Sequence, residues 1–548
     1  MKTKTKKESK SILFVVLPYL VWSKGSAAHM GRIIAFPYGV LSIASYVKKN
    51  IDGHLKINIL DLNLYSQEER QKAVVEALKA SQPEIVAISM MFDFCYEHLN
   101  PISKTIKNYD DKIIVVLGGG SATVSWNMIL HEQDYVDAIC YGEGELAILQ
   151  LIEAENIWQN LLNDPVWVTR QSLASKQSPQ VKYLDNLNEL IEIDYELVNI
   201  EAYGMKEGFS PFSLAIASGK PRQFAIVTSR GCPFKCVFCS APSLHGKQVR
   251  CADVDILIEH VKYLIAKYGM NILTLYDDQI LYNQARAKEL FRRLAEFKLR
   301  VEVPTGLSVT FIDEEMVELM KGAGIDTAAL AIESGSARML KNVIHKPLRL
   351  EQVKPVVEML RRHNIFVYGF FVVGLPGELE EDRIETIRFI KEIGLDWSSF
   401  SLATPVRGSE LYKICVENSY IDPSFGIGCL GVNDYVIKAP GLDPKDIKRK
   451  RYLMNLDVNF VNNHRMIMGD YETAKACFRD VIDRYEKQAF AHYYLAQCLE
   501  AQKAEVKEIK QAMVRVNEII HEDSVWLEYF EYFGIDIMAK INSSLITK

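Results

Sequence analysis

Residues 224–242 read FAIVTSRGCPFKCVFCSAP, a short apolar run that opens into a loop carrying Cys232, Cys236 and Cys239. The spacing is C-x3-C-x2-C. A loop this tight can wrap three thiolates around one face of an iron–sulfur cluster, whose usual ligands are thiolates. Three thiolates for four irons leave one iron open, and an open metal position is where a substrate or cofactor chelates. A zinc site is the competing reading, with His245 or Cys251 as a fourth ligand. A zinc clip, however, has no need of the array that surrounds this loop.

Downstream, strand candidates recur at 272–276, 301–304, 327–332, 366–373 and 400–403, with helical stretches between them. Together with 224–228 they make six βα units. That pattern predicts a partial TIM-type (βα)6 barrel over residues 223–440, with its chemistry at the carboxyl ends of the strands. Upstream, the same alternation places strands at 12–17, 56–60, 85–89, 113–117 and 138–141. It predicts an α/β, doubly wound, flavodoxin-like domain over residues 1–155, with ligands again at the strands' carboxyl ends. The loops that matter there are Ser89-Met90-Met91, Gly118-Gly119-Gly120 and Gly142-Glu143-Gly144-Glu145. Residues 156–222 have mixed polarity and no sustained period, and read as a linker. Over residues 441–548 the strand signal disappears. There GDYETAKACFRDVIDRYEKQAFAHYYLAQCLEAQ (469–502) reads as paired amphipathic helices resembling one tetratricopeptide (TPR) unit, with Gly469, Tyr471, Ala474 and Phe478 at its packing positions. This C-terminal helical, TPR-like region is expected either to cap the barrel or to dock a protein partner.

A chain of 548 residues, 49% of them hydrophobic, exceeds one ordinary core and should divide into several domains. The formal charge of -6, with both signs interspersed, gives no field that would concentrate the protein on nucleic acid or anionic lipid. Outside the loop the remaining cysteines are scattered, so they form no disulfide framework, and a reducing cytoplasm fits. The start of the chain, basic and then apolar and then small, has the make-up of a secretory leader. The same apolar run also supplies a strand that the first sheet needs, and that is the reading adopted. No uninterrupted apolar run reaches the roughly 18 residues of a membrane span.

The cysteine loop resembles the signature of the radical S-adenosylmethionine (SAM) superfamily, with Phe238 in the aromatic position before the third cysteine. Later strand ends agree in order. Tyr276-Asp277-Asp278 resembles the segment that meets the SAM amino group, and Glu333-Ser334 the segment at the ribose. Gly374, Pro376 and Gly377, within GFFVVGLPGE, resemble the glycine-rich turn beside the adenine. Thr404-Pro405-Val406-Arg407-Gly408-Ser409 resembles a TPxPGT stretch, but Arg407 stands where proline is usual. Each of these alone also reads as a helix cap or ordinary loop geometry. Their order behind the cysteine loop is what carries the resemblance.

The first domain resembles that of the cobalamin-binding branch, through FPYGVLSIASYVKK (36–49), VVLGGGSAT (115–123) and YGEGE (141–145). The resemblance implies a [4Fe-4S] cluster on Cys232, Cys236 and Cys239, SAM beside it, and cobalamin near Ser89, Gly118, Gly119, Gly120 and Glu143. The D-x-H-x-x-G motif is absent, so His29, His54 and His98 are read as surface or core residues rather than cobalt ligands. By the same resemblance, an electron from a donor such as flavodoxin or ferredoxin cleaves SAM to a 5'-deoxyadenosyl radical. Methylcobalamin then supplies a methyl group to an unactivated carbon of a small-molecule substrate. No residue is singled out as a catalytic acid or base. A cobalamin-dependent cyclase or rearranging enzyme is the nearest rival, and a non-catalytic cobalamin or metal sensor the rival of another class. A methylthiotransferase fits poorly, because Cys95 and Cys140 are too few thiols for a second cluster in the first domain.

Overall fold

The run KSILFVV forms strand β1 (Lys10–Val16), and its side chains alternate between two separate cores. Leu13 and Val15 enter one, whereas Ile12, Phe14 and Val16 enter the other. A strand buried on both faces must be nearly all apolar, which is why this run shows no polar alternation. In the computed structural model, which describes residues 10–19, 36–51, 54–203, 221–422, 424–429 and 434–546, β1 lies between β2 (Leu55–Asp61) and β3 (Ile85–Ser89), parallel to both. β4 (Ile114–Gly118) and β5 (Ala138–Cys140) extend the sheet in the order β2-β1-β3-β4-β5. That is the flavodoxin-like order, with its switch point between β1 and β3. The apolar start of the chain is therefore an interior strand. His29 lies outside the described residues.

The segment 156–222 is not simply a linker. A helix (Ile157–Asn163) leads into β6 (Trp167–Val168), which pairs antiparallel with β5 and buries Trp167 completely. After it, Leu187, Leu190, Ile191 and Tyr195 pack into the core of the second half of the chain. β6 is only two residues long, and the turns that follow are short, each capped by an Asx side chain: Asn186, Asp194 and Asn199. Elements this short show no hydrophobic period.

The second array begins with β7 (Gln223–Ile226) and a small antiparallel ribbon of β8 (Ser229–Arg230) and β9 (Arg250–Cys251). β10 (Ile272–Leu275), β11 (Arg300–Glu302), β12 (Thr327–Glu333), β13 (Phe366–Val373) and β14 (Trp397–Leu402) follow. β7, β10 and β11 form one parallel sheet and β12, β13 and β14 another. Leu307 joins them: its amide donates to Ala329 O at 2.6 Å, and Ala331 N–H donates back to Leu307 O at 3.0 Å. The parallel strands thus run in chain order around one shared core.

The C-terminal region is helical, with its own aromatic core in which Phe490 and Phe530 stack at 4.2 Å. It joins the strands through Trp397, whose ring meets Phe460 and Phe478, and through buried Asp396, which Arg465 grips at 2.6 and 3.0 Å. Ala474 and Phe478 are fully buried. Among the described residues no helix is long and apolar enough to cross a membrane.

Candidate active site at the facing strand ends

The cysteine loop is shaped by a glycine and pinned from three directions. Gly231 has φ +100°, and a Cβ there would lie 2.2 Å from Gln248 O, so only glycine fits. Its amide donates to Asp278 Oδ2 at 2.8 Å, which ties the loop to the end of β10. Cys232 N–H donates to Gly246 O at 3.1 Å. Val237 donates to Ile344 O at 3.0 Å and accepts from Leu411 N–H at 2.7 Å, so segments after β12 and β14 hold the loop's far side.

The three thiols are free; Cys232 is buried and the other two are half-buried. Burial pushes Cys232 and Cys236 up to about 11 and raises Cys239, while the Lys346 ammonium opposes the rise in all three. Cys232 feels Cys239 electrostatically, and Cys236 feels both of the others. His245 Nδ1 lies 3.6 Å from Glu143, and Cys251 is paired with Ser229 across the ribbon. Three loop thiols are the donor type an iron–sulfur cluster takes. Phe238 packs against the main core.

The other predicted positions surround this loop. Asp277 is fully buried and accepts from Thr228 Oγ1 at 2.7 Å and Ser229 Oγ at 2.6 Å, so it braces the strand leading to the cysteines. Glu333 closes β12 at a register shift with φ +72°, a left-handed conformation rare for glutamate and of the kind kept at functional sites. Its carboxylate meets Lys346 at 3.1 Å. Ser334 Oγ and Gly335 N–H both engage Thr386 Oγ1, and a Cβ on Gly335 would strike the backbone of Thr386 at 2.7 Å. The turn after β13 is closed by Glu378, which accepts from Gly374 N–H at 2.5 Å, and by Tyr435 OH donating to Gly374 O at 2.6 Å. Pro376 is half-buried, and Gly377 O accepts from Arg338 at 2.8 Å.

Lys346, Thr386 and Tyr435 carry no spacing signal of their own and are not among the residues expected at the site, and Glu378 is expected there only as the end of the GFFVVGLPGE stretch. Lys346 follows a π-helical turn (Met339–Ile344), a feature often found at functional sites. Burial raises Glu378 from 4.5 to about 7, against the pull of Arg383. Because the folded value is the higher one, stability is full below 4.5 and falls as pH rises through 7. Glu378→Gln should flatten that slope of the melting temperature between pH 4.5 and 7, and an unchanged slope would contradict the assignment.

In the first domain, Met90 N–H donates to Gly118 O at 2.8 Å at the ends of β3 and β4. Gly119 has φ +107°, and a Cβ would sit 2.5 Å from Met90 O. A bulky residue at Gly119 therefore meets backbone before it could crowd any ligand. Gly120 opens a thirteen-residue helix whose N-terminus faces the strand ends, and that suits a phosphate. Ser89 is half-buried at the end of β3. Glu143 differs from its expected place at a cofactor. Its carboxylate takes both nitrogens of Arg250, at 2.6 and 3.0 Å, and lies 3.4 Å from Arg230. Arg230 in turn reaches Glu145 at 2.8 Å. Glu143 and Glu145 thus bind the two halves of the chain together, because Arg230 and Arg250 of the second array pair with two buried carboxylates.

Residues 226–390 match the radical SAM superfamily, and residues 33–152 match the B12 binding domain. The chain belongs to the cobalamin-binding branch of the radical SAM superfamily. Cytidylyl-2-hydroxyethylphosphonate methyltransferase of Streptomyces wedmorensis is 28% identical over 417 residues, 70% of this chain and 77% of that protein. An anaerobic magnesium-protoporphyrin IX monomethyl ester cyclase of Cereibacter sphaeroides is 24% identical over 481 residues, 85% of this chain and 70% of that protein. The cobalamin-dependent SAM radical enzyme OxsB, solved with aqua-cobalamin and SAM, shares the fold, with a TM-score of 0.58 and 13% identity over 99% of this chain and 82% of its own. The cysteine loop lies within the residues that match the radical SAM superfamily, and the first domain is of the cobalamin-binding kind.

Proposed function

We propose that this radical SAM enzyme is a C-methyltransferase that transfers a methyl group to an unactivated carbon of a small molecule or natural-product intermediate. The observation that carries the reading is the meeting of the two sets of strand ends. Val227 N–H, beside the cysteine loop, donates to Tyr38 OH of the first domain at 3.1 Å, and Arg407 after β14 meets Asp93 after β3 at 2.9 Å. Two cofactors held at those ends would share one crevice. When bound, the cluster passes an electron to SAM, and cobalamin carries the methyl group.

The chain's own residues hold, orient and exclude water. On this reading Cys232, Cys236 and Cys239 ligate, Asp278 fixes the loop through Gly231, and Phe238 backs it. Asp277 braces the approach, while Glu333 and Ser334 line the SAM side. Gly374, Pro376 and Gly377 shape a turn that Glu378 closes around the adenine. Ser89, Gly118, Gly119 and Gly120 offer cobalamin a side-chain-free edge. The second array acts as a partial (βα)6 barrel, and the C-terminal helices as one TPR-like unit open to a protein partner. A cytoplasmic flavodoxin or ferredoxin supplies electrons. The cyclase likeness over 85% of the chain is the specific ground for a second reading, ring formation on the same scaffold.

The intact, cluster-loaded protein should retain hydroxocobalamin in equimolar amount through anaerobic gel filtration. Elution with no cobalamin would move the chain to another branch of the superfamily.

A further inference from the structure

Arg407, the departure from the TPxPGT pattern, is 3% exposed, the least of any arginine among the described residues. Its Nη1 donates to Asp93 Oδ1 at 2.9 Å and its Nη2 to Phe425 O at 3.1 Å, and its guanidinium lies 5.3 Å from the Tyr412 ring centre. The other oxygen of Asp93 accepts from Gly428 N–H at 2.8 Å. Both ends of this ion pair are thus held further by the loop after β14, although Arg407 Nε is buried without a partner. The neighbouring glycine presses the same way, since a Cβ on Gly408 would lie 2.5 Å from Val124 on the helix after β4.

Asp93 follows directly on Met90-Met91-Phe92 at the carboxyl end of β3, beside the sheet's switch point. Met91 and Phe92 are 50% and 42% exposed, unusual for large apolar side chains at a ligand crevice. Phe92 is ordered nonetheless: it stacks on Phe94 at 5.3 Å and meets Tyr19, after β1, at 6.0 Å. An apolar ledge held out from the strand ends by a buried ion pair suits one face of a flat macrocycle.

We propose that the Arg407–Asp93 pair is a positioning latch that sets the Met91–Phe92 ledge against a corrin ring. The proposal rests on the cobalamin reading above. Breaking a buried pair leaves the other charge uncompensated, so the ledge should loosen before any ligand is added.

The test uses the full, cluster-loaded chain and the variants Arg407→Met, Asp93→Asn and Arg407→Lys, with iron content as the check on folding. Without cobalamin, amide exchange over residues 91–95 should quicken in R407M and D93N. Hydroxocobalamin affinity should fall roughly tenfold, about 1.4 kcal/mol, and the electron paramagnetic resonance hyperfine pattern of bound cob(II)alamin should change. R407K should recover part of both. D93N is nearly isosteric and can still accept from Gly428, so it reports even if R407M misfolds. Wild-type affinity and an unchanged spectrum in iron-replete R407M or D93N would overturn the latch alone. A wild-type chain that binds no cobalamin would overturn the cobalamin reading and the ledge with it.

Discussion

Replacing Cys232, Cys236 or Cys239 by Ala should reduce iron and sulfide in the anaerobically reconstituted protein from about four each per chain to near zero, with loss of the visible charge-transfer band. Two remaining thiols cannot hold a cube against chelation. Cys251 is the nearest other cysteine in sequence, and its backbone is committed to the ribbon with Ser229. Cys251→Ala should therefore keep its iron. Tightly bound zinc in place of iron, after purification from iron-rich medium, would contradict the cluster assignment.

Glu143→Ala should destabilise the chain by about 3–5 kcal/mol, because it strands the Arg250 charge in a buried interface, while Arg230 keeps Glu145. Glu143, Arg230 and Arg250 side chains are 4%, 11% and 7% exposed, so water cannot replace the lost partner. Burial alone raises the carboxyl's affinity for protons, but His245, Arg250 and Arg230 outweigh it and hold the value down to about 2. A depressed folded value means that the stabilisation is complete above the ordinary 4.5 and is lost as pH falls towards 2. Thermal melts from pH 3 to 7 check both points. A Glu143→Ala melting temperature within a degree or two of wild type would show that the two halves are held by other contacts.

The parts of this molecule that were legible in sequence are those whose geometry is local. The cysteine spacing spans eight residues, and a doubly buried strand such as β1 announces itself by unbroken apolarity. What sequence could not supply was pairing across long separations. Glu143 falls in a loop that looks like part of a phosphate-binding edge, and only its meeting with Arg250, 107 positions away, shows that it is spent on an ion pair. Arg407 read as a blemish in a motif, until Asp93, 314 positions earlier, explained its burial. β6 escaped because two residues cannot display a period, although Trp167 was in plain view. Lys346 had no motif at all; it reaches the thiols only because a π-helical turn carries it back to Glu333.

A cobalamin-dependent C-methyltransferase would consume SAM in two ways at one site, once to supply a methyl group through cobalamin and once to start the radical reaction. The most direct measurement supplies the cluster- and cobalamin-loaded protein with methyl-deuterated SAM, reductant and a metabolite extract as substrate pool. Methyl transfer should give S-adenosylhomocysteine and 5'-deoxyadenosine in nearly equal amounts, together with a product that carries the labelled methyl group. 5'-Deoxyadenosine accompanied by neither S-adenosylhomocysteine nor transferred label would contradict methylation and favour the ring-forming alternative.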